Sequence, residues 1–272
     1  MATGRKNQVL WFGREAVAGV ADEDAMLRFG GIDGHPTYVT TQTKFSSAGS
    51  RTSDAIIPGT GMSGLTINSI QDFNALTAVL DSMLGVATPS TPGGATNARS
   101  RTWTLYATGG ITPETWTVIY GNAGQALKMT YGVFNSLGLT INRGTLGFTT
   151  SFLARLAATG ATLPSVGTTY IPAAPIPASS YSIYGDTAWA DLGTTKLLNI
   201  YDASITLPER WAPDWPINAA NPSFDSIIET ENTEHMASMQ IGMSAGMVSE
   251  LGDWTSCAYK YLRIDSVGGE IE

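Results

Sequence analysis

Cysteine, histidine, charge and long apolar runs are all scarce in this chain, and each scarcity removes a class of function. A single cysteine, Cys257, in 272 residues leaves no partner for an intrachain disulfide and no thiolate set for a metal cluster. It reads as a small buried hydrophobe. Only two histidines, His35 and His235, are present, and two imidazoles without placed carboxylates do not make a zinc site. Charged residues amount to 14%, 23 acidic against 15 basic, for a net charge of −8. That balance offers no electrostatic grip on nucleic acid and repels polyanions in general. No apolar run reaches the ~20 residues of a membrane helix. Arg5 and Lys6 are followed by no apolar stretch, so neither a span nor a signal peptide is expected. Hydrophobic residues at 43% suffice for a sizeable core, and the expectation is a single β-rich domain over residues 1–272.

What the chain does have is small-residue alternation. From Val133 to Arg155, Leu137, Leu139 and Ile141 alternate with Ser136, Gly138, Thr140 and Asn142, and Leu146 and Phe148 alternate with Gly147, Thr149 and Ser151. A period of two on both sides of Asn142-Arg143-Gly144 predicts an antiparallel hairpin with one oily face and one small, uncharged face. Because the oily set has one way to be buried, Gly138, Thr140, Asn142, Gly147, Thr149 and Ser151 are expected together on the wet side.

Elsewhere the organisation is coarser. Residues 1–65 read as an arm of loops and short strands. Ser69 to Gly85 predicts a helix capped by Ser69, with Ile70, Phe73, Leu76, Val79, Leu80 and Met83 at helical spacing and Gly85 ending it. A long mobile loop is expected over 86–100, strands over Arg101–Ala107 and Thr115–Tyr120, and a proline-rich extended connector over 164–177. A second block begins at Lys196, where Leu198, Ile200, Ala203, Ile205 and Leu207 change phase near Asp202, the mark of a bulge. Trp211, Trp215 and Phe224 suggest an aromatic-pinned turn region. Met236–Met243 alternates, Ala245–Asp253 suits a short helix, and Tyr259–Ile264 a closing strand.

Two enzyme signatures occur by letter. Gly242-Met243-Ser244-Ala245-Gly246 matches a nucleophile elbow, which requires a histidine later in the chain, and both histidines precede Ser244. Gly59-Thr60-Gly61-Met62-Ser63-Gly64 matches a dinucleotide fingerprint, but Ala55-Ile56-Ile57-Pro58 reads as too short and proline-bound for the buried parallel strand that must precede it. Glu229, Glu231 and Glu234 lack the glycine-turned loop of a cation site and read as a solvated rim. Neither catalytic residues nor a cofactor nor a metal is expected.

The order of several short motifs resembles the major tail tube proteins of long-tailed bacteriophages over nearly the whole length. They are Tyr120-Gly121, Asn135-Ser136-Leu137, Ser151-Phe152 with Arg155, and Leu192-Gly193-Thr194-Thr195. Arg210 with Pro213 and Trp215, Asn218 with Asn221 and Ser223-Phe224, Tyr261-Leu262-Arg263-Ile264, Gly268 and Ile271-Glu272 complete the series. The resemblance implies a β-sandwich or barrel-like subunit with one or two flanking short helices, joining its copies in a closed inter-subunit barrel. It further implies hexameric rings stacked head to tail as the virion tail tube, through which DNA passes without specific binding. The implied partners are other copies of the chain, a tape measure protein, a tail terminator and distal tail or baseplate proteins, with assembly in the host cytoplasm. The wet face of the hairpin would then be the lumen wall. A different class stands beside it: a glycan-binding or virion-surface β-sandwich in which Trp211, Trp215 and Trp254 supply a stacking platform. A hydrolase using Ser244 is the third.

Overall fold

The structure, a computed structural model, describes residues 8–49, 51–52, 55–91, 99–103, 110–144, 146–164, 169–216, 223–230, 236–242, 252 and 261–266. In chain order its strands begin with β1 (Val9–Arg14), β2 (Leu27–Phe29), β3 (Ile32–Phe45) and β4 (Ala55–Ile70), followed by helix α1 (Phe73–Leu84). Next come β5 (Trp116–Asn122), β6 (Gln125–Phe134), β7 (Leu137–Asn142), β8 (Leu146–Arg155), β9 (Ala158–Thr159) and β10 (Thr169–Ile171). The chain continues through β11 (Tyr181–Asp186), β12 (Ile200–Leu207), β13 (Trp211–Asp214), β14 (Ser226–Glu229), β15 (Met236–Ile241) and β16 (Tyr261–Ser266).

Most strands join one large sheet with two halves. The first runs β10-β2-β1-β5-β6, with β9 also on β6; the second runs β3-β4-β8-β7-β12-β15. Strand β6 links them by pairing Val133 with Leu153 and Phe134 with Phe152. One core lies against both halves: Leu10, Phe12 and Phe29 from the first, Leu65, Ile67, Phe148 and Phe152 from the second, and Ala78, Val79 and Met83 from α1. Phe134 stands at the junction, edge-on to Phe152 at 5.1 Å and stacked on Phe12 at 5.9 Å, contacts of roughly 0.5–1.5 kcal/mol each beyond burial. The fold is therefore mainly β with one α-helix among the described residues. Among the described residues the sheet does not close on itself as a barrel; β3 and β15 end its second half.

The first 65 residues depart from the sequence reading. They hold β3, of 14 residues, and most of β4, whose 16 residues run on to Ile70; the two are the longest described strands and pair from Ile32↔Ser69 to Phe45↔Ala55. From Tyr38 to Phe45, β3 is exposed on both faces, so no hydrophobic alternation marks it, and only its β-branched content betrays a strand. The fingerprint-like Gly59–Gly64 lies inside β4 rather than in a strand-to-helix turn. The helix cap is corrected too. Asp72, not Ser69, caps α1, its Oδ1 accepting from the amides of Asn74 at 2.9 Å and Ala75 at 3.0 Å. Both residue types suit the position; the pairing of β4 with β3 and β8 as far as Ile70 decides it, and Ser69 Oγ donates to the Gly31 carbonyl instead. Gly85 ends the helix at φ +82°, as expected.

The strand expected at Arg101–Ala107 is absent from residues 101–103, the part described. Arg101 and Trp103 turn back to the helix, where buried Asp81 accepts from Arg101 Nη1 at 2.8 Å, Trp103 Nε1 at 2.9 Å and the Ala87 amide at 3.1 Å. The 86–100 loop is bridged at its base by reciprocal amide-to-carbonyl bonds between Ser90 and Ser100. The 164–177 connector contains β10, parallel to β2, and buries Ala174 and Ile176. The bulge near Asp202 is found between Ile200 and Asp202, and Trp211, Trp215 and Phe224 pack in one cluster. The helix expected at Ala245–Asp253 lies, all but residue 252, outside the described residues, as do residues 1–7.

Strands β11 and β16 make a separate ribbon. At its end, Asp186 accepts from Thr195 N at 3.2 Å, Gly193 N at 2.9 Å and Thr194 Oγ1 at 3.1 Å. Hydrogen bonding from the Thr195 side chain, the largest influence, together with these bonds outweighs the opposing effect of burial and holds its carboxyl below the ordinary range. The folded-state pKa lies below the unfolded one. The stability this gives is thus present above about pH 4 and lost as pH falls through the folded value. In thermal melts, Asp186→Asn is expected to lower Tm at pH 7, and the gap to the parent chain is expected to narrow as pH falls below about 4. A constant gap down to pH 3 would show that the carboxylate is not the source.

Candidate interaction face

The β7–β8 hairpin forms in the register the alternation requires, with Gly138↔Thr149, Leu139↔Phe148, Thr140↔Gly147 and Ile141↔Leu146. Leu137, Ile141 and Phe148 are buried, and Leu139 and Leu146 are half-buried. On the opposite face Thr149 is exposed and Gly138, Thr140, Asn142, Gly147 and Ser151 are half-buried. Asn142 Oδ1 accepts from the Gly144 amide at 3.0 Å and so closes the turn through its own side chain.

Neighbouring strands extend this face in a way the hairpin sequence alone does not reveal. On one side Asn68 of β4 pairs with Thr149 and Thr66 with Ser151. On the other, β12 places Thr206 beside Gly138, Ser204 beside Thr140 and Asp202 beside Asn142, and Ser238 of β15 pairs with Ser204. Hydroxyls answer one another across strands: Ser136 Oγ with Ser151 Oγ at 2.7 Å, and Ser204 Oγ with Ser238 Oγ at 2.8 Å. Such pairs stabilise a sheet by roughly 0.2–1 kcal/mol each and leave no strong unpaired charge. Asp202 is the ionisable group at these central positions, and Ile70, next to Gly147, is the bulky apolar one. The surface is broad, thin-skinned and free of lysine and arginine between Thr66 and Ile70 of β4, Gly138 and Asn142, Gly147 and Ser151, and Asp202 and Thr206.

Asn135 ties this face to β13. It is buried, and its Oδ1 accepts from the amides of Arg210 at 3.0 Å and Trp211 at 2.6 Å while its own amide donates to the Ser151 carbonyl at 2.8 Å. Asn135→Ala removes the acceptor and leaves the buried Trp211 amide unpaired, an expected loss of about 1–3 kcal/mol in denaturant unfolding. An unchanged midpoint would mean that water replaces the side chain.

The remaining candidates are dispersed. Trp211 is buried against Phe224 and offers no open stacking face, and Trp215 meets Phe224 edge-on at 5.9 Å. Glu229 is ion-paired with Arg210 at 2.6 Å. His35 lies exposed on β3 with its Nδ1 3.3 Å from Tyr120 OH. Ser244, Trp254, Glu231, Glu234, His235 and Cys257 lie outside the described residues. Among the described residues no cluster of three histidine, cysteine or acidic side chains is placed to hold a metal ion, and no helix is long and apolar enough to cross a membrane. Trp189, which sequence reasoning passed over, is 72% exposed and sits edge-on to Tyr261 at 5.8 Å. Its flanking Ala188 and Ala190 give no pattern that would have singled it out. No family model matches the sequence, and no curated protein matches it.

Proposed function

We propose that this chain is the subunit of a phage tail tube: six copies close into a ring, and rings stack head to tail into a hollow conduit for viral DNA. The observation that carries the reading is the small-polar face running through β4, β8, β7 and β12, backed by one core cluster under β4 and β8 and a second under Ile141 and Ala203, and bearing no basic group at its central positions. Duplex DNA presents one negative charge per roughly 1.7 Å, so a basic wall would hold it and a neutral to acidic wall lets it pass. Among the described residues β3 and β15 are the edges of the second half of the sheet, which suits a sheet that continues from copy to copy, since closure of a ring removes exposed edges. A head-to-tail interface closes within a ring and still permits stacking along the axis. The β3–β4 hairpin, exposed on both faces in its outer half with Tyr38, Val39, Phe45 and Ile56 uncovered, supports contact with a neighbouring copy. In this reading the partners are other copies, a tape measure protein, a tail terminator and distal tail or baseplate proteins; the location is the virion tail after assembly in the host cytoplasm, and no residue is catalytic.

A glycan-binding module is the second reading, and exposed Trp189 is the observation in its favour. Light scattering on the purified chain separates the two. Species at multiples of six times 28.7 kDa support the tube. A monomer at all concentrations that binds a glycan panel, and loses binding on Trp189→Ala, supports the module and overturns the tube.

A further inference from the structure

Gln71, between β4 and α1, is 1% exposed and uses every polar group it has. Its Nε2 donates to the carbonyls of Thr140 at 2.9 Å and Gly147 at 3.1 Å, one on each strand of the hairpin. Its Oε1 accepts from the Tyr181 hydroxyl. Its amide donates to the Leu146 carbonyl at 3.3 Å, and its carbonyl accepts from Ile176 N at 3.1 Å. One side chain thus touches the hairpin tip and the start of the β11–β16 ribbon, while its backbone holds the connector. Tyr181 pairs with Ser266, the last described residue of β16. Burial lifts the Tyr181 hydroxyl to about 12, so it stays a proton donor throughout the neutral range.

We propose that Gln71 is a positioning clamp that couples the β11–β16 ribbon to the tip of the β7–β8 hairpin, so that the tip keeps its register only while the ribbon is docked. The physical basis is that the amide cannot turn to follow a displaced Tyr181 without giving up its two carbonyl partners. Those partners sit in the interior, where an unmade hydrogen bond is costly. The inference does not depend on the tube reading and is tested on the free chain.

The test is hydrogen exchange of two segments, 138–149 and 261–266, in Tyr181→Phe, Gln71→Leu and Gln71→Glu. Tyr181→Phe deletes the hydroxyl that donates to Gln71 Oε1 and keeps the ring that packs in the cluster with Ile141. Coupling predicts exchange faster by roughly five- to tenfold in both segments. In Gln71→Glu the buried carboxyl, pushed up by its surroundings, lacks both amide donors when ionised and regains one when protonated. Protection of 138–149 is therefore expected to recover as pH is lowered toward 5, which a packing defect would not do. If Tyr181→Phe accelerates 261–266 alone, or if Gln71→Glu shows no recovery while the parent is unchanged over the same pH range, the clamp is refuted. Should Gln71→Leu fail to fold, the other two variants decide.

Discussion

Phe148→Ala is expected to unfold the chain or bring it near unfolding at 25 °C, whereas Thr149→Lys, one residue along the same strand, is expected to leave Tm within a few degrees of the parent. Phe148 is 1% exposed and packs where β8, α1 and the first half of the sheet meet, so truncation removes the burial of an aromatic ring and leaves a void. Changes of this kind cost about 3–5 kcal/mol, a large part of the 5–15 kcal/mol by which a domain is usually stable. Thr149 faces the other way and is exposed, so a lysine there keeps its ammonium in water. Leu139→Lys falls between them. Full burial was the expectation from the alternation, but Leu139 is only half-buried, and a lysine stem can lie along the sheet and lift its head outward. Denaturant unfolding of the three variants reads the facing directly; a stable Phe148→Ala beside an unfolded Thr149→Lys would reverse it.

The second large effect concerns the conduit. Thr140→Lys and Thr149→Lys are expected to permit ring and tube formation but to impair DNA ejection, more strongly at low than at high salt. Six chains at −8 each give a ring a charge of −48 before substitution, and a lysine on the inner face sits within a Debye length, about 10 Å at 0.1 M salt, of passing phosphate. Every ring contributes six such contacts, so retention multiplies along the tube. Ejection measured from virions carrying either variant checks this, with Ala123→Lys, a lysine added at the exposed turn between β5 and β6, as the control. Normal ejection at every salt concentration would place these threonines off the DNA path.

How far the sequence could be read depended on whether burial alternates. The hairpin at 137–155 was legible because one face packs on the core and the other carries small polar residues that are half-buried or exposed, which prints a period of two. The Asp202 bulge was legible for the same reason, as a slip in that period. The outer half of β3 and β4 was not, because both faces are exposed and the pattern has no side to favour. The helix was legible over three turns, yet its cap was not, since Ser69 and Asp72 are equally suited and only the length of the β4 ladder distinguishes them. As for the candidate face, its hairpin portion followed from local spacing, while the contributions of Thr66, Asn68 and Ser204 arise from pairings across more than 60 residues, and that of Ser238 from its pairing with Ser204, none of which a local signal encodes. Trp211, Trp215 and Phe224 were legible as one aromatic-pinned region, and their packing together puts Trp211 in the core rather than on the stacking platform that the glycan-binding alternative needs.

The measurement closest to the central claim is electron microscopy of the purified, concentrated chain, carried to a reconstruction in which strands are resolved. The tube reading predicts stacked rings of sixfold symmetry whose channel is lined by Gly138, Thr140, Asn142, Gly147, Thr149 and Ser151, with Phe148 turned away into the subunit core. Isolated monomers under all conditions, or rings in which these six residues face the outside, would contradict it.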